Sequence, residues 1–253
     1  LRSNLRHLFR SATLVLLIVG FSLRPAHAGE AHIAVAANFK PALDHLETAF
    51  EEQSGHRLIV TSGSTGKLYA QIKNGAPFDV FLAADEARPQ KLETGGDAVA
   101  RITYAVGQLA LWEPGAAETG PHRLASPDYR RVAMANPELA PYGLAAQQVV
   151  ERLGVGDATN ARRVFGENVA QAFSFVRTGN AELGFVSLSL VLSVPAEERG
   201  AYWTPAQAHY DPVRQDAVLL TRGAENTAAI AFMEFLQSDA AIAIVTENGY
   251  IAP

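Results

Sequence analysis

Ser64, Thr65, Gly66 and Lys67 form the first run in this sequence whose residue types and spacing could do chemistry. Ser-x-x-Lys is the nucleophile motif of serine β-lactamases and penicillin-binding proteins, and Arg177-Thr178-Gly179 loosely follows their Lys-Thr-Gly element. The Ser-Asp-Asn triplet that completes that constellation occurs nowhere in the chain. The same segment approaches a phosphate-binding loop. That loop requires Gly at position 61 and Ser or Thr at 68, where the chain has Thr61 and Leu68. His32, His45, His56, His122 and His209 are scattered, with no paired metal-ligand spacing. Cysteine is absent, which removes thiolate metal sites, disulfides and a cysteine nucleophile together. An exported serine acylase using Ser64 and Lys67 therefore stands only as an alternative of a different class. No catalytic residue, cofactor or cation site is expected.

What remains is a series of turns rich in Asn, Ser, Thr, Gly and Tyr, each between a strand pattern and a helix pattern. The first turns of a helix leave backbone N–H groups without intrahelical acceptors, and the helix dipole places partial positive charge there. Several such ends brought together would hold an anion without any cation. Taken singly, each such polar residue more often caps its own helix than meets a ligand.

The elements that must position these turns follow from periodicity. His32–Ala37 is a short apolar run of the buried-strand type. Asn38 then precedes Pro41 and a helix with Leu43, Leu46 and Phe50 on one face, stopping at Gly55. Leu58–Thr61 reads as a strand, Ser62–Gly66 as a turn, and Leu68 with Ile72 as a helix face ended by Asn74-Gly75. Phe78–Ala83 is the next strand. Arg131–Ala135 leads through Asn136-Pro137 and Pro141-Tyr142-Gly143 into another helix. Asn168 precedes a helix with Val169, Phe173 and Val176, Leu183–Val186 is a strand, and Ser187 opens the following turn. An Ala-rich helical pattern from Ala224 to Asn248 finishes the chain. Strand, turn and helix in series predict βαβ units and a largely parallel sheet. Two further strand-rich runs, Tyr104–Trp112 and Val213–Thr221, could cross between two lobes. Composition alone equally allows one continuous sheet.

The chain has 253 residues, 19% charged and 48% hydrophobic, enough to bury a substantial core and unlike a disordered chain. Arg2, Arg6 and Arg10 precede an apolar stretch, Ala12–Leu23, and Ala26-His27-Ala28 has the form of an export cleavage site. A signal peptide over residues 1–28, cleaved after Ala28, is expected. That segment carries four arginines and no acid, leaving 17 basic against 26 acidic groups, a net charge of −9 on the remainder. Such a balance argues against nucleic acid or an anionic membrane surface as partner.

Asn74-Gly75-Ala76-Pro77-Phe78-Asp79-Val80-Phe81-Leu82-Ala83-Ala84-Asp85 resembles the Gly-Ala-Pro-x-Asp-[Val/Leu]-Phe-[Ile/Leu]-[Ser/Ala]-Ala-Asp signature of periplasmic molybdate-binding proteins, the substrate-binding components of ABC importers. Ala36–Phe39, Ser62–Gly66, Asn136-Pro137 with Pro141–Gly143, and Leu183–Val186 resemble the family's other blocks in order. The resemblance spans about Ala31 to Ala252 and is strongest to the branch with Asn in the first turn and Tyr in the Pro-Tyr-Gly turn. It implies an α/β type II periplasmic-binding fold: two α/β lobes joined by a two-strand hinge, with residues 29–108 and 213–253 in one lobe and 109–212 in the other. It implies a monomer that binds molybdate or tungstate and hands it to an ABC permease. It also carries over a site: Ala37 and Asn38, Ser64 and Thr65, Tyr142, Val169 through its backbone N–H, and Ser187. Two positions depart from the common pattern, Ala37 where many members have Ser or Thr, and Ser187 where some have Tyr. Sulfate or another oxyanion is the alternative cargo.

Overall fold

The computed structural model describes residues 28–253, so the expected signal peptide lies almost wholly outside the described residues. The strands are β1 (Glu30–Ala36), β2 (Arg57–Gly63), β3 (Val80–Leu82), β4 (Ala98–Gly107), β5 (Leu109–Glu113), β6 (Val132–Ala135), β7 (Arg163–Gly166), β8 (Leu183–Ser187), β9 (Ala201–Trp203) and β10 (Val213–Leu220). They form two five-stranded sheets, ordered β2-β1-β3-β10-β4 and β7-β6-β8-β5-β9. In the first, β1 runs parallel to β2 and β3, while β10 runs antiparallel to β3 and β4. The second repeats the plan, with β6 parallel to β7 and β8, and β5 antiparallel to β8 and β9. The sheets are thus mixed rather than largely parallel. Strands reached through a helix are parallel, and the strands entering from the other sheet come in reversed.

The helices are α1 (Lys40–Ser54), α2 (Thr65–Lys73), α3 (Ala87–Thr94), α4 (Pro121–Ala125), α5 (Pro141–Arg152), α6 (Gly156–Asn160), α7 (Val169–Arg177), α8 (Leu188–Leu192), α9 (Thr227–Phe235) and α10 (Asp239–Glu247). The first sheet is covered on both faces. Ile33 and Val35 of β1 pack with Leu43, Leu46 and Phe50 of α1, and Ala34 packs on the opposite side with Leu68 of α2 and Phe81. That two-sided burial is why β1 reads as an unbroken apolar run. Trp112 of β5 stacks on Phe173 of α7 at 4.7 Å within the second core.

The two strand-rich runs behave differently. Tyr104–Trp112 passes from one sheet to the other, broken at Gln108 into β4 and β5. Val213–Leu220 stays within the first sheet, and the chain has already returned through 204–212. The C-terminal helical pattern is two helices bent by 66°, because Ser238 caps α10 by accepting from the Ala241 N–H at 3.2 Å.

Candidate functional site

Three helices, α2, α5 and α7, point their N-termini at one cavity between the sheets. Ser64, Ala140 and Asn168, which immediately precede them, all line it, together with Ala36, Ala37, Asn38, Gly63, Thr65, Ala84, Pro141, Tyr142 and Val169. The enclosed space is small, about 10 Å³, so the lobes are drawn close together around it. None of these side chains carries a charge at neutral pH. The backbone N–H groups of Asn38, Thr65, Tyr142 and Val169 have no acceptor among the described residues. Two of the three caps satisfy a donor of their own helix: Ser64 Oγ accepts from the Lys67 N–H at 3.4 Å and Asn168 Oδ1 from the Gln171 N–H at 2.9 Å. Ala140 has no side chain able to do so. Alanine is a poor cap, by roughly 1 kcal/mol against Ser or Asp. With Pro141 lacking an N–H and the Gly143 N–H spent on the Ala140 carbonyl, this leaves the Tyr142 N–H as the free donor of α5 at the cavity.

The side-chain donors have a defined sense. Thr65 Oγ1 accepts from the Ala84 N–H at 3.1 Å, so its own hydrogen is free to donate elsewhere. The Tyr142 oxygen accepts from Gln215 Nε2 at 3.2 Å and likewise keeps its hydrogen. Burial pushes the Tyr142 phenol well above the ordinary tyrosine value, so it remains a donor across the neutral range.

Of the seven residues singled out from the sequence, six line the cavity. Ser187 does not. It is fully buried at the end of β8, with its Oγ 3.0 Å from Ser189 Oγ, behind the cavity wall. Ala37 lines the space but contributes no donor, since its N–H is spent on the Gly63 carbonyl at 2.9 Å. Asn38 is not the cap of α1. Phe39 occupies that position, and both Asn38 amide hydrogens are engaged, with Gln215 Oε1 and the Tyr250 hydroxyl each at 3.0 Å. The Asn38 carbonyl accepts from Tyr250 at 2.7 Å and from Ser189 at 2.9 Å. Asn38 therefore offers the cavity its backbone N–H, while its side chain is a strut. Gln215, Tyr104, Tyr250 and Ser189 were missed by sequence reasoning. No local pattern marks them, since they lie up to 212 residues from Asn38 and meet it only through the sheet.

Lys67 Nζ pairs with Glu167 across the cavity mouth at 2.7 Å, which places it in an ion pair rather than beside a nucleophile. Close by, the Gly66 N–H donates to the Leu139 carbonyl at 3.0 Å and Arg88 Nη2 to the Glu138 carbonyl at 3.2 Å. A Cβ at Gly66 would stand 3.0 Å from the Leu139 oxygen, so the close approach of α2 to the second sheet depends on glycine there.

A family model described as bacterial extracellular solute-binding protein matches residues 31–251. This chain belongs to that family. Among its relatives, the molybdate-binding protein ModA of Azotobacter vinelandii is 44% identical over 244 residues, covering 95% of this chain and 97% of the relative. ModA of Rhodobacter capsulatus is 42% identical over 243 residues, with 95% of each covered. The solved structure of the Azotobacter vinelandii periplasmic molybdate-binding protein superposes with a TM-score of 0.84 at 40% identity, covering 88% of this chain and 99% of that one. The fold is two α/β lobes, each built on one of the two mixed sheets, with the uncharged cavity between them.

Proposed function

We propose that this solute-binding protein captures molybdate or tungstate between its lobes and delivers it to an ABC permease. The observation that carries the reading is the cavity's uncharged, donor-rich lining: free N–H groups on three helix N-termini, the Thr65 and Tyr142 hydroxyls, and no carboxylate. Molybdate and tungstate are proton-free tetrahedral dianions at neutral pH, so each oxygen accepts and none donates. Phosphate retains a proton that is best met by a carboxylate acceptor, and this lining holds none. Sulfate is also proton-free but smaller, so discrimination against it rests on cavity dimensions.

The donors are Asn38, Thr65, Tyr142 and Val169, with Ser64 alongside and Ala37 shaping the wall. Ser187 acts from behind through Ser189. Each hydrogen bond to a charged acceptor contributes about 1.5–3 kcal/mol net. Four or more suffice for micromolar or tighter binding, about −8 kcal/mol. Residues 29–108 with 213–253 form one lobe and 109–212 the other, in keeping with sheet membership. Donors come from both lobes, so occupancy favours their approach. The protein acts as a periplasmic monomer, released from its signal peptide after Ala28.

Calorimetry with molybdate, tungstate, sulfate and phosphate tests this. Heat with the first two is expected, and Thr65→Ala should weaken molybdate binding about tenfold, the loss of one charge-assisted bond. Silence with both and clear heat with sulfate would overturn the ligand assignment.

A further inference from the structure

Behind the cavity wall, Gln215 of β10 joins both lobes. It is fully buried. Its Oε1 stands 3.0 Å from two donors, Asn38 Nδ2 and the Tyr104 hydroxyl. An amide oxygen only accepts and an amide nitrogen only donates, so with Oε1 between those donors Nε2 faces the Tyr142 oxygen, at 3.2 Å. Gly107, where β4 ends, makes room for this pair. A Cβ there would fall 2.0 Å from the Tyr142 hydroxyl and 2.5 Å from Gln215 Nε2. The φ of Gly107 is not in the left-handed region, so space rather than backbone conformation requires the glycine. Two unrelated positions, one polar and one without a side chain, thus serve a single contact that crosses between the lobes.

We propose that Gln215 is a positioning residue for oxyanion capture: by donating to the Tyr142 oxygen it turns the Tyr142 hydroxyl hydrogen into the cavity, and by accepting from Asn38 it fixes the turn whose backbone N–H meets the anion. This rests on the oxyanion reading above. A hydroxyl can present either a hydrogen or lone pairs to its neighbour, and only the hydrogen suits a proton-free dianion. With Gln215 the oxygen already has a donor, so its hydrogen must go elsewhere. A carboxylate at this position would accept that hydrogen, withdraw it from the cavity and add a like charge behind it.

The test is calorimetric titration with sodium molybdate of the wild type, Gln215→Glu, Gln215→Leu, Tyr142→Phe and the Tyr142→Phe/Gln215→Leu double variant. Gln215→Glu should bind at least about 100-fold more weakly at pH 8.5, combining a lost donor with repulsion. It should recover as the pH is lowered toward 6, because a buried glutamate takes up its proton in that range while molybdate stays a dianion. Gln215→Leu should lose about tenfold, and should cost the Tyr142→Phe background clearly less, since the hydroxyl it orients is already gone and only its hold on the Asn38 turn remains to be lost. If Gln215→Glu does not fold, this second comparison decides alone. Wild-type affinity in Gln215→Leu, losses that multiply in the double variant, or a Gln215→Glu defect that does not change with pH would each overturn the proposal. A wild-type protein silent toward both molybdate and tungstate would overturn the oxyanion reading beneath it.

Discussion

Gln215 and Asp216 are neighbours on β10, both fully buried, yet their surroundings are opposite in kind. A register irregularity between them helps separate the two side chains. Asp216 is a charge in the interior, met by Arg101 Nη1 at 2.6 Å and the Thr103 hydroxyl at 2.8 Å. Gln215 sits in a neutral network of amides and phenols reaching the cavity. The fold can therefore bury a carboxylate where a guanidinium accompanies it. On the side that meets the cavity it has used amides and hydroxyls instead. A buried cation there would lose its hydration for part of every cycle of capture and release, and a carboxylate would repel the anion. Neutral dipoles avoid both.

The sharpest way to break this contrast is to move a charge to the neutral side. Thr65→Asp places a carboxylate at the cavity edge of α2. Two charges about 4 Å apart interact by roughly 4 kcal/mol at an effective dielectric of 20, and the anion carries two. Molybdate binding should fall below detection by calorimetry, while an N-terminal aspartate is well tolerated by the helix itself. Retained micromolar binding would show that the cavity tolerates a like charge and that its neutrality is incidental.

The reverse move leaves the charged side unbalanced. Arg101→Met strands Asp216, and breaking a buried pair in this way costs 3–5 kcal/mol. Arg101 is about one-third exposed, so the lower end, about 3 kcal/mol, is expected. Urea unfolding should show that loss, with molybdate affinity within about threefold of wild type. A collapse of affinity at unchanged stability would assign the ion pair to the site.

Alkaline pH separates the two environments without mutation. Burial raises the phenols of Tyr104, Tyr142 and Tyr250 above their ordinary value. Below about pH 10 these tyrosines are neutral whether the chain is folded or unfolded, and the shift has no effect on stability. Above it the unfolded chain ionises while the folded one holds its protons, so stability falls as pH rises, by up to about 1.4 kcal/mol per unit for each tyrosine. Arg101, whose hydrogen bonds to Glu93 and Asp216 raise it further, keeps its charge throughout that window. Thermal unfolding followed from pH 8 to 11 should show a decline that shallows in Tyr104→Phe. An identical slope in that variant would place the alkaline sensitivity outside the neutral network.

The same contrast explains what the sequence made legible. Every helix whose N-terminus faces the cavity was readable, because its signals are local: a short polar turn, then helical spacing, as at Ser62–Leu68 and Asn168–Val176, though the strand before the latter, β7, was not read. Ser187 was misplaced because its position along β8 is readable but the depth of that strand end behind the wall is not. Asn38 looked like a helix cap by type and spacing. Its side chain instead turned to Gln215 and Tyr250, a choice made by partners 177 and 212 residues away. The sense of the β10 pairings was hidden for the same reason: a strand pattern carries no record of which neighbour it will find.

At the mouth, the Lys67–Glu167 pair offers the smallest test, because it is charged like Asp216 and Arg101 but exposed, at 48% and 61% of side-chain surface. Exposed pairs contribute 0–1 kcal/mol and weaken with salt. Lys67→Met should therefore change molybdate affinity by less than about fourfold, with the difference vanishing in about 0.5 M sodium chloride. The backbone bond from Gly66 to Leu139 and the Arg88 contact to Glu138 should keep the lobes together without it. A loss that persisted at high salt would mean that Lys67 acts on the anion itself, and the separation between a charged rim and a neutral interior would no longer describe the site.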